Sequence, residues 1–303
     1  MRPATTTRTG LVAVALMSLA LAGCGGDEAE TTSGEGTESP PVTVTADSEL
    51  AALVPEGVTE DGVLVVATDA SYAPNEFFDE DNETLIGMDI DLGTALGDVL
   101  DIEVRFENAP FDSIIPGLES GKYELGMSSF TINPERMEVV DMVSYFVAGT
   151  SWAVPTDNPD AVSPDDACGA KVAVQKATVQ VDDVTARSEQ CLADGETEIT
   201  IDQYTLQTDA TTAVVSGKDD AMLADSPVVA YAIKQTGGQL EVVGDTYDDA
   251  PYGIAVPQAD PDFAQAVLGA VNSLIESGRY TQILDEWGVG DGAVETAELN
   301  PVP

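Results

Sequence analysis

Apolar residues from position 63 onward alternate between short continuous runs and longer runs at helical spacing. Residues 63–67 form a continuous apolar run, which is typical of a buried parallel strand, and apolar positions within 88–100 recur at helical spacing. The same pattern then predicts strands at 102–106, 124–127, 171–174, 198–201 and 221–223, and helices at 113–119, 179–191, 208–216, 227–236, 263–277 and 280–287. Two successive sets of alternating strands and helices predict an α/β fold with two lobes and mostly parallel sheets. Because ligands bind beyond the carboxyl ends of such strands, polar residues directly after strands are the first functional candidates.

The N-terminus has the pattern of a signal peptide at 1–23. Two arginines precede an apolar run at 11–22, which is shorter than the roughly 20 residues that span a bilayer. The run ends in Leu-Ala-Gly-Cys, which resembles the lipobox of bacterial lipoproteins and implies cleavage before Cys24 and lipid attachment to it. A buried helix of the mature fold is the alternative, and the Gly-rich acidic stretch that follows disfavours it.

Both ends of the mature chain are predicted to be unstructured. Residues 24–61 are rich in Gly, Ser, Thr, Pro and acidic residues, so they carry too little apolar surface to offset the entropy of ordering. We interpret them as an acidic disordered tether, and we expect a second disordered segment at 291–303. No later apolar run reaches about 18 residues, so we expect the lipid alone to hold the protein at the membrane.

Composition excludes several classes of function. A chain of 303 residues suits two domains, and 55 acidic against 11 basic residues give a formal charge of -44. This charge disfavours nucleic acid or an anionic membrane surface as a partner. The chain contains no histidine, which excludes Ser-His-Asp triads, HExxH zinc sites and imidazole catalysis. The three cysteines form no metal-binding spacing, and we predict neither a metal nor a cofactor.

The two cysteines after the signal peptide are predicted to form a disulfide. Export implies an oxidising compartment, which favours a bond between Cys168 and Cys191. Two free buried thiols are the alternative.

Six motifs in a fixed order carry a resemblance to a known family. They are LVVATDASYAP at 64–74, GMDIDL at 87–92, SSFTINPER at 128–136, AMLADSP at 221–227, YGIAVP at 252–257 and SGRY at 277–280. Together they resemble the family 3 solute-binding proteins of polar amino-acid ABC importers, from about residue 63 to 287. The resemblance implies the type II periplasmic-binding-protein fold with a two-strand hinge.

The domain organisation follows from this resemblance. It implies a first lobe from 62–150 plus 252–290 and a second lobe from 151–251, with the chain crossing near 151–154 and near 250–253. Closure of the lobes around a ligand would supply the signal that a transporter reads.

An amino-acid ligand requires a cation for its carboxylate and an anion for its ammonium group. Arg136 follows a predicted strand and the Ser-Ser-x-Thr run, and a guanidinium matches a carboxylate in geometry and charge. Ser129 and Thr131 can donate to the carboxylate and accept from the ammonium group. In the family the aspartate that matches Asp225 binds the ammonium group, while a helix-capping role for Asp225 remains open.

The resemblance places the other ligand-binding residues around the ligand's two ends. Thr178 opens a predicted helix and would offer its N–H to the carboxylate, although Ala177 stands where similar proteins carry Gly. The remaining candidates are Asp69, Tyr72, Phe111 and Ser128, with Phe111 as an ordinary core residue left open. Asn75 replaces the usual Phe, which makes that edge of the pocket more polar.

The sequence therefore predicts a monomeric receptor, anchored by lipid to the outer face of the cell membrane, that delivers an amino acid to an ABC permease and ATPase. Asp69 favours a basic or hydrogen-bonding side chain, and glutamine binders usually carry Lys and His where Gln175 and Ala224 stand. We therefore expect arginine or lysine first, then glutamine or histidine, with acidic ligands last. A dehydratase-type enzyme on the same scaffold and the sensing subunit of a signalling partner are the alternatives.

Overall fold

A computed structural model describes residues 42–60 and 62–302 of the protein. The predicted signal peptide, Cys24 and the tether up to residue 41 lie outside the described residues. Among the residues that are described, no helix is both long and apolar enough to cross a bilayer.

The described chain alternates strands and helices as the sequence pattern predicts. The strands are β1 Val63–Thr68, β2 Ser71–Tyr72, β3 Glu76–Phe78, β4 Leu85–Ile86, β5 Glu103–Asn108, β6 Leu125–Thr131, β7 Val140–Pro155, β8 Lys171–Gln175, β9 Thr200–Tyr204, β10 Ala221–Asp225 and β11 Leu240–Pro257. The helices are α1 Ser48–Ala51, α2 Glu56–Thr59, α3 Met88–Leu100, α4 Phe111–Glu119, α5 Pro134–Met137, α6 Val179–Ala193, α7 Gln207–Val215, α8 Ser226–Gln235, α9 Pro261–Ser277 and α10 Arg279–Trp287, with a 3-10 turn at Gly290–Gly292.

Two long antiparallel strands join two α/β halves. In the described residues one eight-stranded sheet runs in the order β5-β1-β6-β11-β7-β10-β8-β9. β1 pairs in parallel with β5 and β6 at one end, and β8 pairs in parallel with β9 and β10 at the other. Between them β7 and β11 pair antiparallel from Pro155 and Leu240 to Val140 and Pro257. We call the half with β1, β5 and β6 lobe 1, and the half with β8, β9 and β10 lobe 2.

The α/β class is confirmed, while the central strands are longer than the sequence predicts. The predicted crossings at 151–154 and 250–253 lie inside β7 and β11, which have 16 and 18 residues. Most of β7 is buried, so its apolar run lacks the turn residues that normally mark the limits of a strand.

Each lobe has its own apolar core. The lobe 1 core lies between the sheet and α3, α9 and α10, and includes Leu96, Val267 and Ile283. In lobe 2, Val172 and Leu223 pack with Cys191 from α6. Cys191 is bonded to Cys168, so the structure contains the predicted disulfide.

The prediction of disorder throughout 24–61 is wrong for the described residues from 42 onward. The Asp47 side chain accepts from the N–H of Glu49 and Leu50 and caps α1, while its own N–H donates to Val99 O at 2.8 Å. Leu50 packs against the lobe 1 core. The few apolar residues of this segment are thus spaced to reach lobe 1, which an average composition does not reveal.

The prediction of a disordered tail at 291–303 is also wrong for the residues described. Ser144 N donates to Glu298 O at 2.9 Å, and Asn300 exchanges hydrogen bonds of 2.7 Å with Met142. β10 pairs with β7 only around residues 150–153, which leaves this edge of β7 near Ser144 free for another partner. The tail orders because it satisfies these backbone groups.

Candidate functional site

One pocket between the lobes is lined by all nine residues predicted to bind the ligand. It lies where β1, β6, β8 and β10 end. This is the position expected of a ligand site in an α/β sheet. Its lining residues are Asp69, Tyr72, Glu76, Phe111, Ser128, Ser129, Thr131, Arg136, Gln175, Thr178, Val179, Gln180 and Asp225.

Arg136 is held rigidly at one side of this pocket. It lies on the short helix α5, whose first turn is capped by Asn133 Oδ1 at 2.8 Å from Arg136 N. Its guanidinium donates to Thr131 O at 2.7 Å and to Ala177 O at 3.0 Å. The same group lies 5.4 Å from the ring centres of both Phe111 and Phe130. These contacts fix the plane of the fork that a carboxylate would meet.

Arg136 keeps its positive charge despite its burial in the pocket. Burial lowers its pKa to about 10, against the opposing attraction of Asp225. The guanidinium therefore stays protonated at neutral pH.

Asp225 is oriented by hydrogen bonds into the pocket. It precedes α8, but its side chain makes no capping hydrogen bond there, which disfavours the helix-cap alternative. Instead it accepts from Gln180 Nε2 and from Tyr252 OH, both at 2.7 Å. Burial raises the pKa of Asp225, while the hydrogen bonds from Tyr252, Tyr72 and Gln180 and the charge of Arg136 lower it.

Asp69 lies directly after β1. It accepts from Ser71 Oγ at 2.6 Å, from Phe111 N at 2.8 Å and from Gln175 Nε2 at 3.1 Å. Burial raises the pKa of Asp69, and the donors Ser71 and Phe111 oppose that rise. Phe111 both stacks on Phe130 and lines the pocket, so it is core and wall at once.

A pair of buried carboxyl groups lies beside Asp69. Glu76 on β3 accepts from Ser128 Oγ at 2.9 Å and from Ser129 Oγ at 3.2 Å. Asp89 on α3 accepts from Ser129 N at 2.9 Å and from Tyr145 OH at 2.8 Å. Both serine hydroxyls therefore already donate to Glu76, whereas Ser129 is predicted to bind the ligand's carboxylate or ammonium group.

Thr178 lies at the start of α6, as the sequence predicts. Its hydroxyl donates to Gln175 O at 2.8 Å, and this hydrogen bond holds the Thr178 side chain at the pocket wall. Ala177, which replaces the glycine of similar proteins, still adopts a left-handed φ of 60°. This conformation is uncommon for alanine, and it places the Ala177 carbonyl against Arg136.

Hydrogen bonds across the pocket join the two lobes. Asp69 of lobe 1 meets Gln175 of lobe 2, and Tyr72 OH accepts from Asp225 N at 3.1 Å. Ser71 Oγ accepts from Gln207 N at 3.0 Å. The structure therefore has the lobes closed over the site.

Four further lining residues are not among the predicted ligand contacts: Glu76, Gln175, Val179 and Gln180. Glu76 carried a usable signal, because a single carboxylate stands between Pro74 and two phenylalanines. Gln180 lies two residues beyond the predicted contact Thr178, in the first turn of α6, and only the fold brings its side chain to the pocket.

Two α/β lobes closed over a small pocket with one guanidinium and several carboxylates define a binding protein for a small zwitterionic solute. The sequence agrees, since residues 64–290 match the model of the bacterial extracellular solute-binding proteins, family 3. The chain belongs to this family, and the predicted resemblance is confirmed.

Similar proteins are known by sequence and by structure. Arginine-binding protein ArgT of Corynebacterium glutamicum is 40% identical over 256 residues, which are 84% of each chain. An ancestral arginine-binding protein bound to arginine is 31% identical with a TM-score of 0.68, and covers 75% of this chain and 98% of its own. An ancestral arginine-binding protein bound to glutamine is 32% identical with a TM-score of 0.69, with the same coverage. The family and these relatives are solute-binding proteins, so the enzyme alternative is not supported.

Proposed function

We propose that this protein binds L-arginine outside the cell membrane and delivers it to an ABC importer. The observation that carries the proposal is the balance of charge around the pocket. Asp69, Glu76 and Asp225 line it on the acidic side, and Arg136 is the one basic residue among the lining residues described.

The backbone groups of an amino acid account for one charge of each sign. Its carboxylate pairs with Arg136 and its ammonium group with Asp225, whose charges already attract one another in the closed site. Asp69 and Glu76 then remain without a cation. A guanidinium is planar and donates in a fork, so it can serve two carboxyl groups at the end of one side chain.

Glutamine is the competing neutral ligand. A lysine at position 175 would neutralise Asp69 from within the protein, but Gln175 leaves that carboxylate uncompensated. Glutamate would bring a second negative charge into a desolvated acidic site, which is strongly unfavourable. The names of the relatives, among them arginine-binding protein ArgT, support the same choice.

Calorimetric titration of the purified, ligand-free protein with arginine, lysine, glutamine and glutamate tests the proposal. We expect arginine to bind most tightly, lysine and glutamine more weakly, and glutamate not measurably. Tightest binding by glutamate or glutamine would overturn the assignment. Incubation with mixed amino acids, followed by assay of products, separates this binding function from an enzymatic one.

The second part of the proposal concerns the location of the protein and its attachment to the membrane. The lipobox-like sequence before Cys24 supports a lipid anchor on the outer face, with the folded part acting as a monomer. Expression with Cys24→Ser should release the protein from the membrane fraction, and labelling with a fatty acid should be lost. Retention of the variant in that fraction would contradict the anchor.

A further inference from the structure

Glu76 and Asp89 are fully buried side by side, and none of the ion pairs in the described chain includes either group. Two carboxyl groups in contact within a dry interior cannot both carry a charge unless a cation joins them. The described residues place none beside them, so the pair holds a proton when the site is empty.

The contacts of the two groups decide which one carries the proton. Asp89 accepts from Tyr145 OH and from the backbone N–H of Ser129, and it lies in the first turn of α3, where the helix dipole favours negative charge. Apart from Asp89 itself, Glu76 accepts hydrogen bonds from the hydroxyl groups of Ser128 and Ser129, which can donate or accept. Asp89 therefore takes the charge and Glu76 the proton.

Within residues 42–60 and 62–302, no cation faces Glu76 from the elements packed around it. Asp69 after β1 and Asp89 on α3 both raise the pKa of Glu76, in addition to the larger effect of burial. Tyr72 and Tyr145, the phenols that interact with Glu76, are neutral because burial raises their pKa values well above the usual range. Arg136 and Asp225 also line the pocket and interact with each other.

Glu76 is the member of the pair that lines the pocket. We propose that the Glu76–Asp89 pair selects a cationic side chain by proton exchange, giving up the Glu76 proton when a guanidinium enters. This inference rests on the proposed function. The O–H bond of the Glu76 carboxyl breaks, its proton passes to the solvent, and N–H groups of the guanidinium donate to the carboxylate that remains. A neutral side chain of the same shape leaves the proton in place.

The sign of the pH dependence follows directly. Burial raises the pKa of Asp89 to about 6 and that of Glu76 well above its ordinary value. Two buried carboxyl groups in contact share one proton, so protons compete with the cationic ligand for Glu76 near neutral pH. The affinity for arginine should rise with pH, by at most about tenfold per pH unit for one released proton. The affinity for a neutral ligand should not follow this slope.

The test is titration calorimetry of the full chain with arginine and with citrulline at pH 7.5, in phosphate and in Tris buffers. Tris releases far more heat than phosphate when it takes up a proton. We expect the heat of arginine binding to differ between the buffers by the difference in their protonation heats for close to one proton released. The heat of citrulline binding should be the same in both buffers. Equal heats for arginine in both buffers would overturn the inference while leaving arginine binding intact. Failure to bind arginine at all would overturn the proposed function with it.

Two variants assign the effect to Glu76. Glu76→Gln should abolish the buffer dependence of the arginine heat and narrow the preference for arginine over citrulline. Glu80→Gln removes the same kind of group from an exposed position four residues away, and it should keep the full buffer dependence. Proton release that persists in Glu76→Gln would refute the assignment, and the measurement on the unchanged chain decides the matter if that variant does not fold.

Discussion

Replacement of Arg136 tests the site most directly, because its guanidinium is the group predicted to hold the ligand carboxylate. Arg136→Ala removes the fork and its charge, together with the hydrogen bonds to Thr131 O and Ala177 O. Arg136→Lys keeps a charge but not the planar fork that lies between Phe111 and Phe130.

The magnitude follows from what the ligand carboxylate loses. Removing one partner of a buried, hydrogen-bonded ion pair costs about 3–5 kcal/mol, which corresponds to a Kd raised about a hundredfold to a few thousandfold. Replacing the fork by an ammonium group forfeits one charge-assisted hydrogen bond of about 1.5–3 kcal/mol, or roughly ten- to a hundredfold. We therefore expect the order wild type, Arg136→Lys, Arg136→Ala from tightest to weakest.

Titration calorimetry with arginine measures these affinities, and thermal unfolding of the ligand-free variants controls for damage to the fold. The melting temperature should change by no more than about 4 °C, since Arg136 packs at the pocket and not in either core. Arg105→Ala is the matched control, because the Arg105 side chain is 53% exposed on β5 and pairs only with Glu107. Binding by Arg136→Ala within twofold of wild type would refute the role of Arg136.

The remaining predictions concern the disulfide, the charge and the pocket electrostatics. Mass spectrometry of the exported protein should find Cys168 and Cys191 bonded, and their replacement by serine should destabilise the fold by about 3 kcal/mol for a loop closed across 23 positions; free thiols would contradict this. The melting temperature should rise as NaCl is increased from 0.15 M to 1 M, because the Debye length falls from about 8 Å to 3 Å and repulsion within a chain of charge -44 weakens. A melting temperature that does not change with salt would contradict this. Without ligand, stability should fall as pH rises from about 5 to 8, because Glu76 and Asp89 bind protons more tightly folded than unfolded, and Glu76→Gln should flatten that slope in thermal unfolding. Gln175→Lys should weaken arginine binding and favour glutamine in calorimetry, because the new ammonium group would neutralise Asp69; unchanged preference would show that Asp69 does not contact the side chain.

The sequence predicts the residues of the pocket walls well, because a polar residue after a short apolar run marks the end of a buried strand. Asp69 and Asp225 each follow a short apolar run, and the sheet brings the ends of those strands together at one place. The sequence predicts the ordered ends of the chain poorly. Asn300 is ordered by one open edge of β7, and that edge exists only after lobe 1 has formed.

The partners of each carboxylate could not be predicted either. Ser128 and Ser129 are neighbours within β6, and a hydroxyl group can contact either a ligand or another part of the protein. Their actual assignment depends on Glu76 and Asp89, which come from β3 and α3 and meet β6 only in the folded chain. Sequence spacing carries no information about such a meeting of three elements.

The scarcity of basic residues gives the pocket its character. In most acidic sites a lysine or arginine of the protein balances each buried carboxylate, and the ligand then meets a neutral wall. Here the described lining offers Arg136 alone, and Gln175 rather than a cation contacts Asp69. The remaining negative charge must be cancelled either by protons, as on Glu76, or by the ligand itself. We therefore expect a cationic side chain to complete the electrostatics of the closed state, and a neutral one to leave Asp69 desolvated and uncompensated. On this proposal, selectivity for charge arises because the described lining residues include no second cation, and closure of the lobes is most favourable when the ligand provides one.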